Sequence, residues 1–270
     1  MSRSGAHASL VVVFAGICAA LHVAKLPPAL PVLQQVLGLD LVQAGFLLSA
    51  VQMAGMTLGL LVGLGADSWG LRRSMIVGLW LVSLASALGA VASSVTALLV
   101  LRALEGLGFL LAVTPAPAVI RRTVDAAHLQ SRMGLWGAYM PAGSALALLL
   151  GPLVMAWTGW EIWWWCLATV TALAALAVWR WVPVLAPMPV DPSRRALSGV
   201  GHRIGLTLRS PGPWLVALSF AVYSSQWLAV IGFLPTVYNA LGLGAVLTGV
   251  LTATVAVSTP VRATPRPRAL

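Results

Sequence analysis

The chain has 270 residues, of which 60% are hydrophobic and only 8% charged, a balance that excludes a water-soluble globule because too few charged side chains exist to cover its surface. Sixteen Lys and Arg against six Asp and Glu give a net charge of +10. These cations gather in alternate connections between long apolar runs, so the charge follows membrane topology and no nucleic-acid partner is implied.

The apolar runs lie at about 9–36, 41–66, 74–94, 96–119, 130–156, 161–182, 213–239 and 244–259. Most reach the ~20 residues that a helix needs to cross the hydrocarbon, which gives seven full spans and one short one. Backbone polar groups in lipid must be satisfied internally, and runs of this length lack the strict alternation of barrel strands, so the predicted fold is an all-α polytopic membrane protein. Arg3 and the later Ala19-Ala20 pair also fit a secretory signal, but the first run continues well past that point and has a second copy downstream. Cys18 and Cys166 fall inside spans, where an unpaired Cys acts as a small apolar residue; no disulfide, metal site or cofactor is indicated.

In the first span, His22 and Lys25 are three residues apart and share a helical face. Lys25 is about 17 residues from the start of the helix, roughly 25 Å deep, too far for easy snorkelling. The second and third spans are joined by Gly63-Leu64-Gly65-Ala66-Asp67-Ser68-Trp69-Gly70-Leu71-Arg72-Arg73. The fourth carries Arg102 and Glu105, and Arg102, about 9 Å from the opposite end of an antiparallel helix, comes to a height similar to that of Lys25. Ionisable groups at such depth are expensive and therefore candidates for function. Pro141 marks a kink in the fifth span, and Trp157, Trp160 and the tryptophans at 163–165 read as an interfacial belt. The seventh span presents Tyr223, Ser224, Ser225 and Gln226.

Basic residues cluster around Arg3, Arg72-Arg73, Arg121-Arg122-Arg132, the 183–212 linker and Arg262-Arg266-Arg268, whereas connections near 37–40, 95, 157–160 and 240–243 contain none. The positive-inside rule then places both termini and the linker in the cytoplasm of a cell whose inner membrane holds the protein. Anionic lipid headgroups are a secondary partner for the linker.

Residues 29–51 align without a gap on 233–255 at an offset of 204, with 9 of 23 positions identical, including Pro31 on Pro235 and Leu37-Gly38-Leu39 on Leu241-Gly242-Leu243. The seventh span therefore repeats the first. The expected organisation is a six-helix half over 1–182, a linker over 183–212, two helices of a second half over 213–259 and a basic, Pro-rich tail over 260–270. The repeat stops where more apolar helix is called for, and the chain reads as truncated. In the repeat His22 corresponds to Gln226 and Lys25 to Ala229, so the cationic face belongs to the first half.

The 63–73 loop resembles the G-x-L-a-D-r-x-G-r-r/k signature of the major facilitator superfamily of secondary transporters, with Gly63, Ala66, Asp67, Gly70 and Arg72 on pattern positions. Arg102, Glu105, Gly106 and Gly108 resemble that family's R-x-x-q-G-x-G pattern. The resemblance implies a transporter of a small solute, working by alternating access, with Gly63, Asp67, Gly70, Arg72 and Arg73 as a cytoplasmic gating loop and Arg102 and Glu105 as proton-coupling residues. The first and fifth spans further resemble the cyanate and nitroimidazole permease branch.

Two cations facing the polar seventh span point to a small anionic substrate bound by His22, Lys25, Arg102, Tyr223 and Gln226. Other roles stay open for the same residues. Arg102 and Glu105 could neutralise each other and only lock the bundle, Lys25 could pair with Glu105 or a carbonyl, and His22 could be a structural histidine rather than a proton relay. No G-x-S-x-G, H-E-x-x-H or close Asp pair is present, which argues against an enzyme. The competing class is a membrane scaffold without transport activity.

Overall fold

A computed structural model describes residues 3–53, 57, 70–185, 205 and 207–258, and these are helical apart from short connections. Proline sets where the long helices break. The first span is α1 (Arg3–Ala24) followed by α2 (Leu26–Leu37), interrupted at Lys25. Pro27 and Pro28 lack an N–H, so the carbonyls of Val23 and Ala24 lose their intrahelical donors and the helix cannot continue unbroken. The fourth span divides at Thr114-Pro115 into α5 (Val95–Val113) and α6 (Ala116–Thr123), and the fifth divides at Ala138 into α7 (Ala126–Gly137) and α8 (Tyr139–Thr158). Pro141 removes the donor that Gly137 would have used, which accounts for the kink expected in that span.

The remaining elements are α3 (Leu41–Met53), α4 (Leu71–Gly89), α9 (Trp160–Trp181), α10 (Pro211–Ala240) and α11 (Ala245–Ser258). Among the described residues six helical stretches are long and apolar enough to cross a membrane, and Leu41–Met53 and Ala245–Ala256 are shorter apolar helices. The sequence reading of a full second span runs to residue 66, and its later part lies outside the described residues, as do most of the 183–212 linker and the 260–270 tail.

Packing brings α4 against α5 and α9, and α1 against α8 and α9; α10 lies on α2, and α11 lies on α8. The α4–α5 contact is backbone to backbone. A Cβ on Gly78 would stand 2.5 Å from the carbonyl oxygen of Gly108, and one on Gly108 would stand 2.7 Å from that of Gly78. Glycine is required at both positions, the small-residue device by which membrane helices approach closely.

Two apolar cores fill the bundle. One contains Val12, Met75, Leu79, Ile120 and Val178; the other contains Leu26, Leu30, Leu47, Leu98 and Trp164. On α4, α5 and α9 a short polar interval separates the stretches that serve each core; Arg102 and Glu105 fall in the one on α5, and His22 and Lys25 stand beside it at and just beyond the C-terminal end of α1.

The 204-residue repeat has a structural counterpart in its turns. Gly38 after α2 has φ 64°, and Gly242 after α10 has φ 75°; α3 then starts at Leu41 and α11 at Ala245, the corresponding position. The first copy adds a reciprocal cap, in which the Gln43 backbone N–H donates to Asp40 Oδ1 at 2.7 Å and the Asp40 N–H to Gln43 Oε1 at 3.2 Å. The second copy has Gly244 in place of Asp40 and lacks that acceptor.

Candidate functional site

The polar interval holds one connected cluster. At the α1–α2 break, the Lys25 ammonium donates to Glu105 Oε1 at 2.5 Å and to Ser86 Oγ at 2.8 Å, and lies 3.4 Å from His22 Nδ1. Its three N–H bonds are thereby matched with three acceptors. The ammonium also sits 4.5 Å from the centroid of the Trp164 ring, whose π face favours a cation.

Glu105 binds two cations at once, because its other oxygen, Oε2, accepts from Arg102 Nη1 at 2.6 Å. The same Nη1 donates to the His22 carbonyl at 2.7 Å. That carbonyl belongs to the last turn before the proline break, so Arg102 ties α5 to the loosened end of α1.

His22 closes the network, with Nε2 2.8 Å from Thr171 Oγ1 on α9. Since the Lys25 ammonium can only donate, Nδ1 is the acceptor and Nε2 carries the hydrogen, which makes His22 the neutral Nε2–H tautomer donating to Thr171. All six side chains are sealed: Lys25, Ser86 and Thr171 are 0% exposed, Arg102 is 1%, and His22 and Glu105 are 2%. A carboxylate between two cations, each also hydrogen-bonded, is the arrangement that makes buried charge tolerable in an apolar bundle.

The structure thus brings His22, Lys25, Arg102 and Glu105 together. Lys25 is engaged with Glu105, one of the two partners open to it on sequence grounds, and has no hydrogen left to offer a substrate in this arrangement. Tyr223 and Gln226 do not join the cluster. They line a separate cleft of about 140 Å³ with Trp227, Val230, Ile231 and Val255, and none of the described hydrogen bonds links them to Lys25 or Arg102. A larger apolar cleft, about 430 Å³, opens between α3 and α5 along Phe46, Met53, Leu99, Ala103 and Leu107.

Of the gating loop, Gly63 and Asp67 lie outside the described residues. Gly70 precedes α4 with φ 93°, a conformation that favours glycine. Arg72 donates through Nη2 to the Trp179 carbonyl in the last turn of α9, where a cation complements the exposed carbonyls and the helix dipole. Arg73 is exposed.

Sequence reasoning missed Ser86, Thr171 and Trp164. Ser and Thr in membrane helices usually bond their own backbone, so nothing in the sequence distinguished these two from the others. The tryptophan belt needs correction. Trp157 and Trp165 are exposed, but Trp160, Trp163 and Trp164 are buried in the bundle, with Trp164 0% exposed beneath Lys25. Five tryptophans around the α8–α9 connection give a composition signal for the interface without revealing which way each ring faces.

Against known proteins, the family model described as Major Facilitator Superfamily matches residues 12–264. The chain is 34% identical over 152 residues to the puromycin resistance protein of Streptomyces alboniger, a match covering 56% of this chain and 29% of that protein. It is 28% identical over 131 residues to the tetracenomycin C resistance and export protein of Streptomyces glaucescens, covering 48% and 24% respectively. In structure it is similar to a bacterial homologue of the human lysosomal transporter Spinster in an inward-facing, unoccupied conformation, with a TM-score of 0.74 and 15% identity over 95% of this chain and 60% of that one. A D-xylose–proton symporter gives a TM-score of 0.75 and 16% identity over 93% and 65%. The matches thus span less than a third of the length of either resistance protein.

Proposed function

Because the chain belongs to the Major Facilitator Superfamily, a family of membrane transporters and not of enzymes, we propose that it moves a small solute across the cell's inner membrane by alternating access, with both termini in the cytoplasm. The match over 12–264 carries this reading, and the buried cluster supplies what the chemistry needs. Lys25, Glu105 and Arg102 offer a carboxylate whose protonation would release one or both cations, a direct way to link a proton to a change in helix packing.

The names of the two resistance proteins favour export over uptake. They are a better guide to direction than the resemblance of the first and fifth spans to cyanate and nitroimidazole permeases. For substrate class, the cluster sets two basic side chains against one carboxylate, which favours a small anion; Tyr223 and Gln226 would meet it from the opposite wall in another conformation. Gly63, Asp67, Gly70, Arg72 and Arg73 are assigned to gating at the cytoplasmic surface.

The test is flux through the chain reconstituted in liposomes under an imposed pH gradient, with labelled acetate, benzoate and puromycin in separate arms. Anion movement above protein-free vesicles, collapsed by a protonophore, is the expected outcome. Movement of puromycin alone would keep transport and overturn the anion reading. No gradient-dependent movement of any of the three would leave a membrane scaffold.

A further inference from the structure

Arg102 uses only part of its guanidinium. Nη1 makes both of its hydrogen bonds, to Glu105 and to the His22 carbonyl, while Nε and Nη2 are buried without a hydrogen-bond partner. Those two nitrogens are not scattered. Nε–H and one N–H of Nη2 point in parallel along a single edge of the plane, the edge that grips two oxygens of one carboxylate side by side. Buried polar groups are nearly always satisfied, and an entire unpaired edge at a residue 1% exposed is a conspicuous exception.

The charge count points the same way. With Lys25 protonated, Lys25 and Arg102 contribute two positive charges and Glu105 one negative. His22 is neutral while its Nδ1 accepts from the ammonium. Among the described residues the other elements packed here add no charge: α4 presents Ser86, and α9 presents Thr171 and Trp164. One positive charge is left over in an apolar interior, where an uncompensated charge is strongly unfavourable.

We infer that the Nε/Nη2 edge of Arg102 is the binding site for a monovalent, planar carboxylate, with Lys25 a positioning residue that holds Glu105 and keeps the first edge of the guanidinium occupied. This deepens the anion reading above and rests on it. A monocarboxylate satisfies two donors and brings the cluster to neutrality; a sulfate dianion overshoots, and a chloride ion meets the charge without filling the fork. The edge is closed off in this conformation, so the ligand arrives as the bundle opens, and equilibrium binding reports over all conformations.

Isothermal titration of the purified chain in detergent with acetate, benzoate, chloride and benzamide tests this. Saturable binding of both carboxylates is expected, at least tenfold tighter than chloride, with no saturable heat from benzamide. Arg102→Lys keeps the charge and loses the fork, and should weaken carboxylate binding at least tenfold, about 1.4 kcal/mol. Equal carboxylate affinity in the variant overturns the assignment. If Arg102→Lys fails to fold, the wild-type series decides alone: chloride bound as tightly as acetate, benzamide bound as tightly as benzoate, or no saturable carboxylate heat each refutes the site. The binding result and the liposome result are independent. Flux without carboxylate binding removes this site and leaves a transporter, whereas carboxylate binding without flux keeps the site and removes the transport reading.

Discussion

At Glu105 two oxygens serve two cations, and the consequences of substitution there are unequal to those at the neutral members of the cluster. Ser86 Oγ accepts from Lys25 and itself donates to the Trp164 carbonyl at 3.2 Å. Ser86→Ala therefore removes one of three acceptors from the ammonium and should lower stability by about 1 kcal/mol. Glu105→Gln leaves Lys25 and Arg102 facing each other without a counter-charge and should cost about 3–5 kcal/mol. Reversible unfolding of the detergent-solubilised chain would rank the two. A Glu105→Gln protein as stable as Ser86→Ala would mean that the carboxylate is not what holds the cations in place. The His22 tautomer gives a separate check, since Thr171→Val removes the acceptor for Nε2–H; the imidazole 15N shifts should move while those of His128, remote on α7, stay fixed.

For the helices, the decisive contacts are where no side chain intervenes. Gly78→Ala drives a Cβ into the α5 backbone, 2.5 Å from Ala112 N and Gly108 O, and should cost about 1–3 kcal/mol or more as the helices part. Gly134, inside α7, has nothing within 4 Å, so Gly134→Ala should be neutral or stabilise by up to about 1 kcal/mol through helix propensity. Thermal unfolding of the two variants side by side would test the pair, and similar midpoints would discount backbone contact as the glue of α4 and α5. The spans themselves were legible because length and hydropathy leave a chain in lipid almost no alternative to helix. Their breaks were less so. Pro141 announced its kink, but Pro27-Pro28 and Pro115 also end helices, and nothing short of the packing shows that the first of these breaks falls at Lys25. The cluster was half legible. Depth and three-residue spacing bring Lys25, His22, Arg102 and Glu105 forward, whereas Ser86 and Thr171 carry no distinguishing mark until α4 and α9 are placed, and only the repeat and the polarity of the seventh span group Tyr223 and Gln226 with Lys25.

Over the whole molecule the alternation of basic and bare connections predicts which ends of the bundle face which compartment. A reporter fused after residue 158 should respond as periplasmic and one after residue 200 as cytoplasmic, and the reverse pattern would invert every helix. Order along the chain also matters in time. Lys25 finds its carboxylate 80 residues later, at Glu105, and ribosomes add about 5–20 residues per second. The first helix must therefore wait on the order of 4–16 s in or beside the insertion machinery with a naked ammonium at a depth where insertion scales charge about 2.5–3.5 kcal/mol for it. His22, a turn away, is the only one of its eventual partners already synthesised, and Ser86 comes before the acid. The α1 helix is thus committed to the bilayer as a provisional structure, and the synthesis of α5 is the event that turns it into a permanent one.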